Sequence, residues 1–91
     1  MSYVSGRLFT GQKTGITVSP VQLGDGTLSN IREIMIQNDP TNAGNLIVGT
    51  VLNQFIVLTP GQAITLPIIS LTLIYVKMSV GTGTANWLAR D

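Results

Sequence analysis

Turn-forming residues interrupt this chain at five places, and these breaks limit the length of any regular element. Clusters rich in Gly, Pro, Asn or Asp occur at residues 11–15, 24–26, 38–44, 60–61 and 81–84. The segments between them are short and rich in Val, Ile and Thr, which favour strands over helices. No segment shows the apolar periodicity of a sustained helix. The sequence therefore predicts an all-β fold.

Eight segments between the turns have the composition of β-strands. They are residues 7–10, 15–23, 31–38, 45–51, 55–58, 62–67, 71–80 and 84–89. Seven or eight short antiparallel strands in one domain of 91 residues favour a β-sandwich or a barrel. Pro20 and Pro67 are expected at strand ends or edges, because proline cannot donate a hydrogen bond to a neighbouring strand.

The predicted strands differ in how their apolar residues are distributed. Segment 31–38 alternates, with Ile34 and Ile36 on one face and polar residues or Met on the other, as in a strand with one buried face. Segments 45–52 and 71–78 are apolar on both faces. Since one face of a sandwich strand ordinarily meets water, both segments predict extra covering by loops or by another protein chain.

Charged residues make up 10% of the chain, against roughly a quarter in an average domain. A small isolated domain ordinarily covers its surface with Lys, Glu, Arg and Asp. This chain carries Thr, Ser, Asn, Gln and Gly instead. We therefore favour a surface that faces other protein chains over a neutral, Thr-rich surface that faces water. A symmetric homo-oligomer is the simplest way to cover it.

The chain contains no His and no Cys, which leaves little material for catalysis. No Ser-x-x-Lys spacing is present to replace a histidine base. Gly81-x-Gly83 lacks the third glycine of a dinucleotide motif and predicts a hairpin turn. Asn38, Asp39 and Asn42 include only one carboxylate, so we expect side chains that cap a loop rather than a Ca²⁺ site. The prediction is a non-enzyme without cofactor or metal.

Charge and hydropathy also limit the partners. The net charge is +1 and the five Lys and Arg residues are scattered, which predicts no nucleic-acid binding. The most apolar stretch, residues 64–80, contains Pro67 and Lys77 and is too short for a membrane span. Residues 1–7 lack the basic and apolar regions of a signal peptide, so we expect synthesis in a cytoplasm.

Aromatic and apolar residues in three places are candidates for an interface. Residues 1–14 form either a frayed terminus with an edge strand or an arm that adds to a partner's sheet. Trp87, the only tryptophan, is expected in the core or in a subunit interface, while Phe55 lies in a run typical of a core. The candidate interface residues are Tyr3, Val4, Leu8, Phe9, Tyr75 and Trp87.

Several short motifs together resemble small virion proteins of tailed bacteriophages. A strand ends in Asn, the next contains Ile-Val-Gly, a Leu-x-Pro-Gly turn follows, and an Ile-Tyr-Val strand leads to a glycine hairpin. In this chain they are Asn38-Asp39-Pro40, Asn45-Leu46-Ile47-Val48-Gly49, Leu58-Thr59-Pro60-Gly61-Gln62, Ile74-Tyr75-Val76-Lys77 and Gly81-x-Gly83. The pattern covers about two-thirds of the chain, from residue 31 to residue 88.

The resemblance implies a jelly-roll-like β-sandwich that acts as a head decoration (cement) protein. Such a protein binds the major capsid protein on the outside of the shell, often as a homotrimer, and has no active site to carry over. Its place would be the virion, after synthesis in the host cytoplasm. Two alternatives stay open: a tail, neck or fibre module of a phage, and a carbohydrate-binding module that presents Trp87 to solvent.

Overall fold

The computed structural model describes residues 8–24, 31–67 and 71–90. Its strands are β1 (Leu8–Ile16), β2 (Val21–Gln22), β3 (Glu33–Asn38), β4 (Leu46–Gly49), β5 (Gln54–Leu58), β6 (Ala63–Leu66), β7 (Tyr75–Met78) and β8 (Gly83–Arg90). One turn of 3-10 helix, Leu71–Leu73, precedes β7. No α-helix occurs in these three ranges. The described part of the chain is therefore almost entirely β-structure and turns.

The eight strands form two antiparallel sheets of four. The first sheet has the order β1-β8-β3-β6 and the second has the order β2-β7-β4-β5. Every connection along the chain passes from one sheet to the other except the β4–β5 hairpin. Two four-stranded sheets joined in this way form a jelly roll. The predicted all-β sandwich of antiparallel strands is confirmed, with eight strands and jelly-roll order.

One apolar core fills the space between the sheets, because alternate residues of each strand point inward. Both sheets contribute: Ile34 and Ile36 come from β3, and Val76 and Met78 come from β7. The buried apolar residues of the core are Ile16, Leu23, Ile31, Ile34, Ile36, Leu46, Val48, Leu58, Leu71, Ile74, Val76, Met78, Ala85 and Ala89. The alternation predicted for β3 is confirmed.

Segments 45–52 and 71–78 are strands over only part of the predicted length, and only β4 has apolar side chains on both faces, with Leu46 and Val48 inward and Ile47 outward. In the second segment, residues 71–73 form the 3-10 turn, and β7 turns Tyr75 and Lys77 to its half-buried outer face. In the first segment, β4 ends at Gly49, and Val51 and Leu52 lie exposed in the following turn. A helical turn in one segment and a strand end in the other thus interrupt the inward–outward alternation of side chains that the prediction assumed.

Gly11 and Gly15 do not bracket a turn, contrary to the prediction from the sequence. β1 runs through both residues and pairs with β8 as far as Ile16. Gly15 has a φ of +66° at a register shift between Lys13 and Ile16. It therefore occupies a bulge within the strand, where a positive φ suits glycine. The predicted strand 15–23 is divided: its first two residues end β1, and only Val21 and Gln22 form β2.

The turn at Pro60-Gly61 is confirmed. The Gln62 amide donates to the Thr59 carbonyl at 2.9 Å, and Gly61 has a φ of +88°, as the second central residue of a type II turn requires. Pro20 directly precedes β2 and Pro67 directly follows β6, at strand ends as predicted. The predicted turn at residues 24–26 extends outside the described residues.

Candidate interaction surface

The N-terminal candidates separate at the start of β1. Tyr3 and Val4 lie outside the described residues. Leu8 is 67% exposed on the outer face of the first sheet, whereas Phe9 points inward and packs, half-buried, against the core. Of this pair, Leu8 is the one available to a partner. Residues 8–14 of the possible arm belong to β1, which pairs with β8.

Trp87 lies on the inner face of β8 and packs, half-buried, against the apolar core. Its register partner on β1 is Gly11. A Cβ atom at Gly11 would overlap the indole ring and stand 2.7 Å from Cε2 of Trp87. Gly11 is thus the residue that makes room for the indole, and Trp87 is anchored within the fold.

Tyr75 points outward from the second sheet, between Gln22 of β2 and Gly49 of β4 in register. It is half-buried. Leu8 lies on the outer face of the other sheet, and Trp87 lies between the sheets. The structure therefore does not bring the candidates within the described residues together on one surface.

A different group of apolar residues is exposed within seven positions at the β4–β5 hairpin, in the turn and on both faces of β5. The most exposed are Leu52 in the turn, at 83%, and Phe55 at the start of β5, at 76%. We call the whole group the apolar hairpin surface, and its members are Val51, Leu52, Phe55, Ile56 and Val57. A group of large exposed apolar residues on one hairpin is typical of an interaction site in a soluble protein.

Local backbone chemistry fixes the hairpin that carries this surface. The Thr50 amide donates to the Asn53 carbonyl at 2.8 Å across the turn. A Cβ atom at Gly49 would overlap that Asn53 carbonyl oxygen and lie 2.6 Å from Cα of Gln54. The register shifts between Val48 and Gly49, at a bulge. Gly49 therefore permits a close approach of two backbones and sets the direction of the turn.

The hairpin also lies in a long uncharged stretch of sequence. No Asp, Glu, Lys or Arg occurs between Asp39 and Lys77. β5 itself is the outermost strand of the second sheet, with β4 on one side. Native edge strands ordinarily carry charges or proline that discourage pairing with another chain. β5 carries neither.

Sequence analysis missed this surface because it assigned Phe55 to a core-like run. The run is apolar at four successive positions, Phe55 to Leu58, so it would need covering on both faces. Only Leu58 is buried. A run that is apolar on both faces at a sheet edge is the sequence signal for this surface.

At the other end of β5, polar side chains are fully engaged. Asn38, buried at the end of β3, donates from Nδ2 to the carbonyls of Leu58 at 2.8 Å and Gly44 at 3.1 Å. Its Oδ1 accepts from Nδ2 of Asn42 at 2.6 Å. Asn42 also exchanges two hydrogen bonds with the backbone of Thr84. This asparagine network joins strands of both sheets.

Asp39 caps the adjacent loop. Its Oδ1 accepts from the hydroxyl of Thr41 at 2.6 Å and from the Thr41 amide at 2.9 Å, and its Oδ2 accepts from Nδ2 of Asn86 at 3.2 Å. The Thr41 hydroxyl, then the Thr41 amide and the Asn86 amide, lower the pKa of the Asp39 carboxyl below its ordinary value of 3.8. The predicted loop-capping role of these side chains is confirmed.

A shallow groove lies on the outer face of the first sheet, with a volume of about 220 Å³. Met35 and Leu88 form its apolar part, and at one end Nε of Arg90 donates to Oε1 of Glu33 at 3.0 Å. Both charged side chains are about half exposed. The groove is smaller than the roughly 300–1,000 Å³ usual for small-molecule sites. It makes a weaker candidate than the hairpin.

Within residues 8–24, 31–67 and 71–90, no group of three or more acidic side chains is placed to hold a metal ion. The same ranges contain no helix long and apolar enough to cross a lipid bilayer.

No protein-family model, no curated protein and no solved structure matches this chain. The resemblance to phage virion proteins thus stays a prediction. What the chain does is inferred from its own fold and surface.

Proposed function

We propose that this chain is a non-catalytic structural protein of a tailed-phage virion. It decorates the outside of the capsid, binds the major capsid protein and copies of itself, and stabilises the shell. The observation that carries the proposal is the apolar hairpin surface. Five large apolar residues within seven positions stand exposed, and covering them with another protein removes that area from water.

The polar groups of the chain support a binding role over a catalytic one. The Asn38 side chain donates hydrogen bonds that hold the loop between the two sheets, and the Asp39 side chain caps that loop. Glu33 is paired with Arg90. Each of these groups holds the fold in place rather than pointing together into a cleft, as acid–base partners must.

The jelly roll suits a shell-binding role for a physical reason. Its two sheets share one core, so the outer faces and the hairpin are held in fixed relative positions and need little reordering on binding. Binding to the assembled lattice but not to free subunits stabilises the lattice by mass action. No titratable group needs to take part, which agrees with the composition of the chain.

The test uses shells of the phage that encodes the chain, prepared without it. Added chain should co-sediment with the shells and raise the temperature at which they break apart. Phe55→Ser should weaken binding at least tenfold, whereas Val18→Ser, at a residue 57% exposed outside the hairpin, should not. Absence of binding to the shells would overturn the decoration role.

Cryo-electron microscopy of the virion separates the decoration role from its closest alternative. Density for the sandwich spread over the head supports a decoration protein. Density confined to the tail, neck or fibres supports the other virion role and excludes the one proposed here.

The carbohydrate-binding alternative is less favoured. It needs an exposed aromatic platform, and Trp87 is packed between β1 and the core. Among the described aromatic residues, Phe55 alone is largely exposed. A change in Trp87 fluorescence on adding glycans would revive this alternative.

A further inference from the structure

We propose that β5 pairs with β5 of a second copy, antiparallel and across a two-fold axis, so that two second sheets join into one sheet of eight strands. The inference rests on the proposed function, because it names the surface through which this structural protein associates with itself. It depends only on the isolated chain and needs no capsid.

The open edge of β5 is suited to strand pairing. Within the described residues, β4 is the only strand paired with it. After the bulge, Ile56 to Leu58 stand in regular register with β4, so their backbone is extended. An edge without charge, proline or cover is a template for a further strand. Ile56 and Val57 would meet their counterparts on the two faces of the new strand pair.

The other described edges are poorer partners for β5. β1 carries Lys13, which would stand against an uncharged strand. β2 has only two residues. β6 has four residues, is followed by Pro67 and has no residue among the large exposed apolar ones. A second β5 matches the first in length, charge and apolar character.

Charge also favours a second copy over an unrelated chain. A two-fold contact places each patch against itself, so a charged residue near the axis would meet its own copy, a like charge. Between Asp39 and Lys77 the chain has no charged residue at all. The hairpin thus offers nothing for a charged partner to recognise and nothing that would repel its own copy.

The exposed area is sufficient for a weak dimer. The exposed fractions of the five surface residues add up to about three whole side chains. At roughly 150 Å² for each large side chain, one copy can cover up to about 500 Å². Two copies then bury up to about 1,000 Å², near the lower limit for a specific interface. The dimer should therefore form in a concentration-dependent way.

This contact predicts an even-numbered assembly. A two-fold pairing of one edge closes after two copies, since each β5 has only one open side. The resemblance to decoration proteins implies a trimer instead. The mass of the assembled protein in solution distinguishes a dimer from a trimer.

Sedimentation equilibrium over a wide concentration range tests the pairing. The wild-type chain should shift from monomer to dimer. Val57→Lys should raise the dissociation constant at least tenfold, because it puts two like charges at the strand pair. Val18→Lys is the matched control: the same substitution at a valine of similar exposure outside β5, 57% against 52%. A monomeric or trimeric wild type, or an unchanged Val57→Lys dimer, would overturn the proposal.

Cysteine cross-linking decides the case even if Val57→Lys folds poorly. The chain has no Cys, so single variants Phe55→Cys, Ile56→Cys and Val57→Cys each carry one thiol. A two-fold axis near the middle of β5 brings at least one pair of Cα atoms within the roughly 4.4–6.8 Å that a disulfide needs. Mild oxidation should then give covalent dimers at that position but not with Val18→Cys. Equal cross-linking at Val18 would contradict the proposal.

The outcomes for the dimer and for the shell are independent. A monomeric chain that still binds capsids would overturn the proposed β5 pairing but not the proposed decoration role. A β5-paired dimer that binds no capsid would overturn the decoration role and support the pairing.

Discussion

At its C-terminal end β5 is bound to β3 through Asn38, whereas at its N-terminal end the same strand leaves Phe55 and the neighbouring turn residue Leu52 uncovered. One end satisfies polar groups inside the protein, and the other leaves apolar groups in water. The asparagine network serves the stability of the isolated chain. The apolar hairpin surface does not, and it is the basis of the contact proposed above.

The comparison also shows that exposure and order are separate properties. The hairpin turn has a defined backbone path, because the Asn53 carbonyl lies where a Cβ atom at residue 49 would be. Its side chains are exposed on a well-defined backbone. A surface of this kind is already formed before a partner arrives, which lowers the cost of binding.

Removing the centre of the asparagine network should have the largest effect on folding. Asn38→Ala removes three hydrogen bonds, to the carbonyls of Gly44 and Leu58 and from Nδ2 of Asn42, and should lower the free energy of unfolding by roughly 3 kcal/mol. Asn53→Ala, in the exposed hairpin turn, should change it by less than about 0.5 kcal/mol. Urea denaturation of both variants provides the measurement. Equal effects would show that the two ends do not differ.

The contact between Trp87 and Gly11 tests whether the tryptophan belongs to the covered region. Gly11→Ala should cost about 1–3 kcal/mol, since the new Cβ overlaps the indole ring. In a Trp87→Leu background the same substitution should cost much less. A double-mutant cycle by denaturation measures the coupling. A coupling near zero would mean that Trp87 does not stand over Gly11.

The two phenylalanines give the most direct comparison of covered and uncovered residues. Phe9→Ser should destabilise the chain by about 2 kcal/mol, because Phe9 packs against the core. Phe55→Ser should change the stability of dilute protein by less than about 0.5 kcal/mol, because its ring is 76% exposed. Denaturation at low protein concentration checks both. A Phe55 effect as large as that of Phe9 would place Phe55 in the isolated core.

Asp39 should have the smallest effect, and it depends on pH. Its hydrogen bonds favour the carboxylate, so its folded pKa lies below the unfolded value near 3.8. The stabilisation is complete above that value and is lost as the pH falls through the folded pKa. Asp39→Ala should therefore weaken the chain near neutral pH more than in strong acid. Urea midpoints at the two pH values measure the difference, and a pH-independent effect would contradict this cause.

Much of the fold could be predicted because its determinants are local. Pro60-Gly61 predicts its turn from backbone preference alone, and the alternation of Ile34 and Ile36 predicts the buried face of β3. The path of β1 through Gly11 and Gly15 could not be predicted. Gly11 is in the strand to make room for Trp87, a residue far along the chain, and a local turn propensity carries no information about that contact.

The site was harder to predict than the fold. The candidates Leu8, Tyr75 and Trp87 were selected by residue type, and they face three different directions. Phe55 has the same type and was placed in the core, because a run of apolar residues reads alike whether its strand is central or at an edge. Edge position depends on strand order, which short-range patterns do not contain.

By itself, the sequence determined that this chain is a β-protein with little charge and with few groups for chemistry, because composition and turn residues act locally. The tertiary structure alone decided which apolar residues are covered. Leu58 and Phe55 belong to the same apolar run. Leu58 is buried and its carbonyl accepts a hydrogen bond from Asn38, whereas Phe55 is exposed at the edge of the sheet. The physical reason is that burial is set by neighbours in space, and those neighbours come from distant parts of the chain.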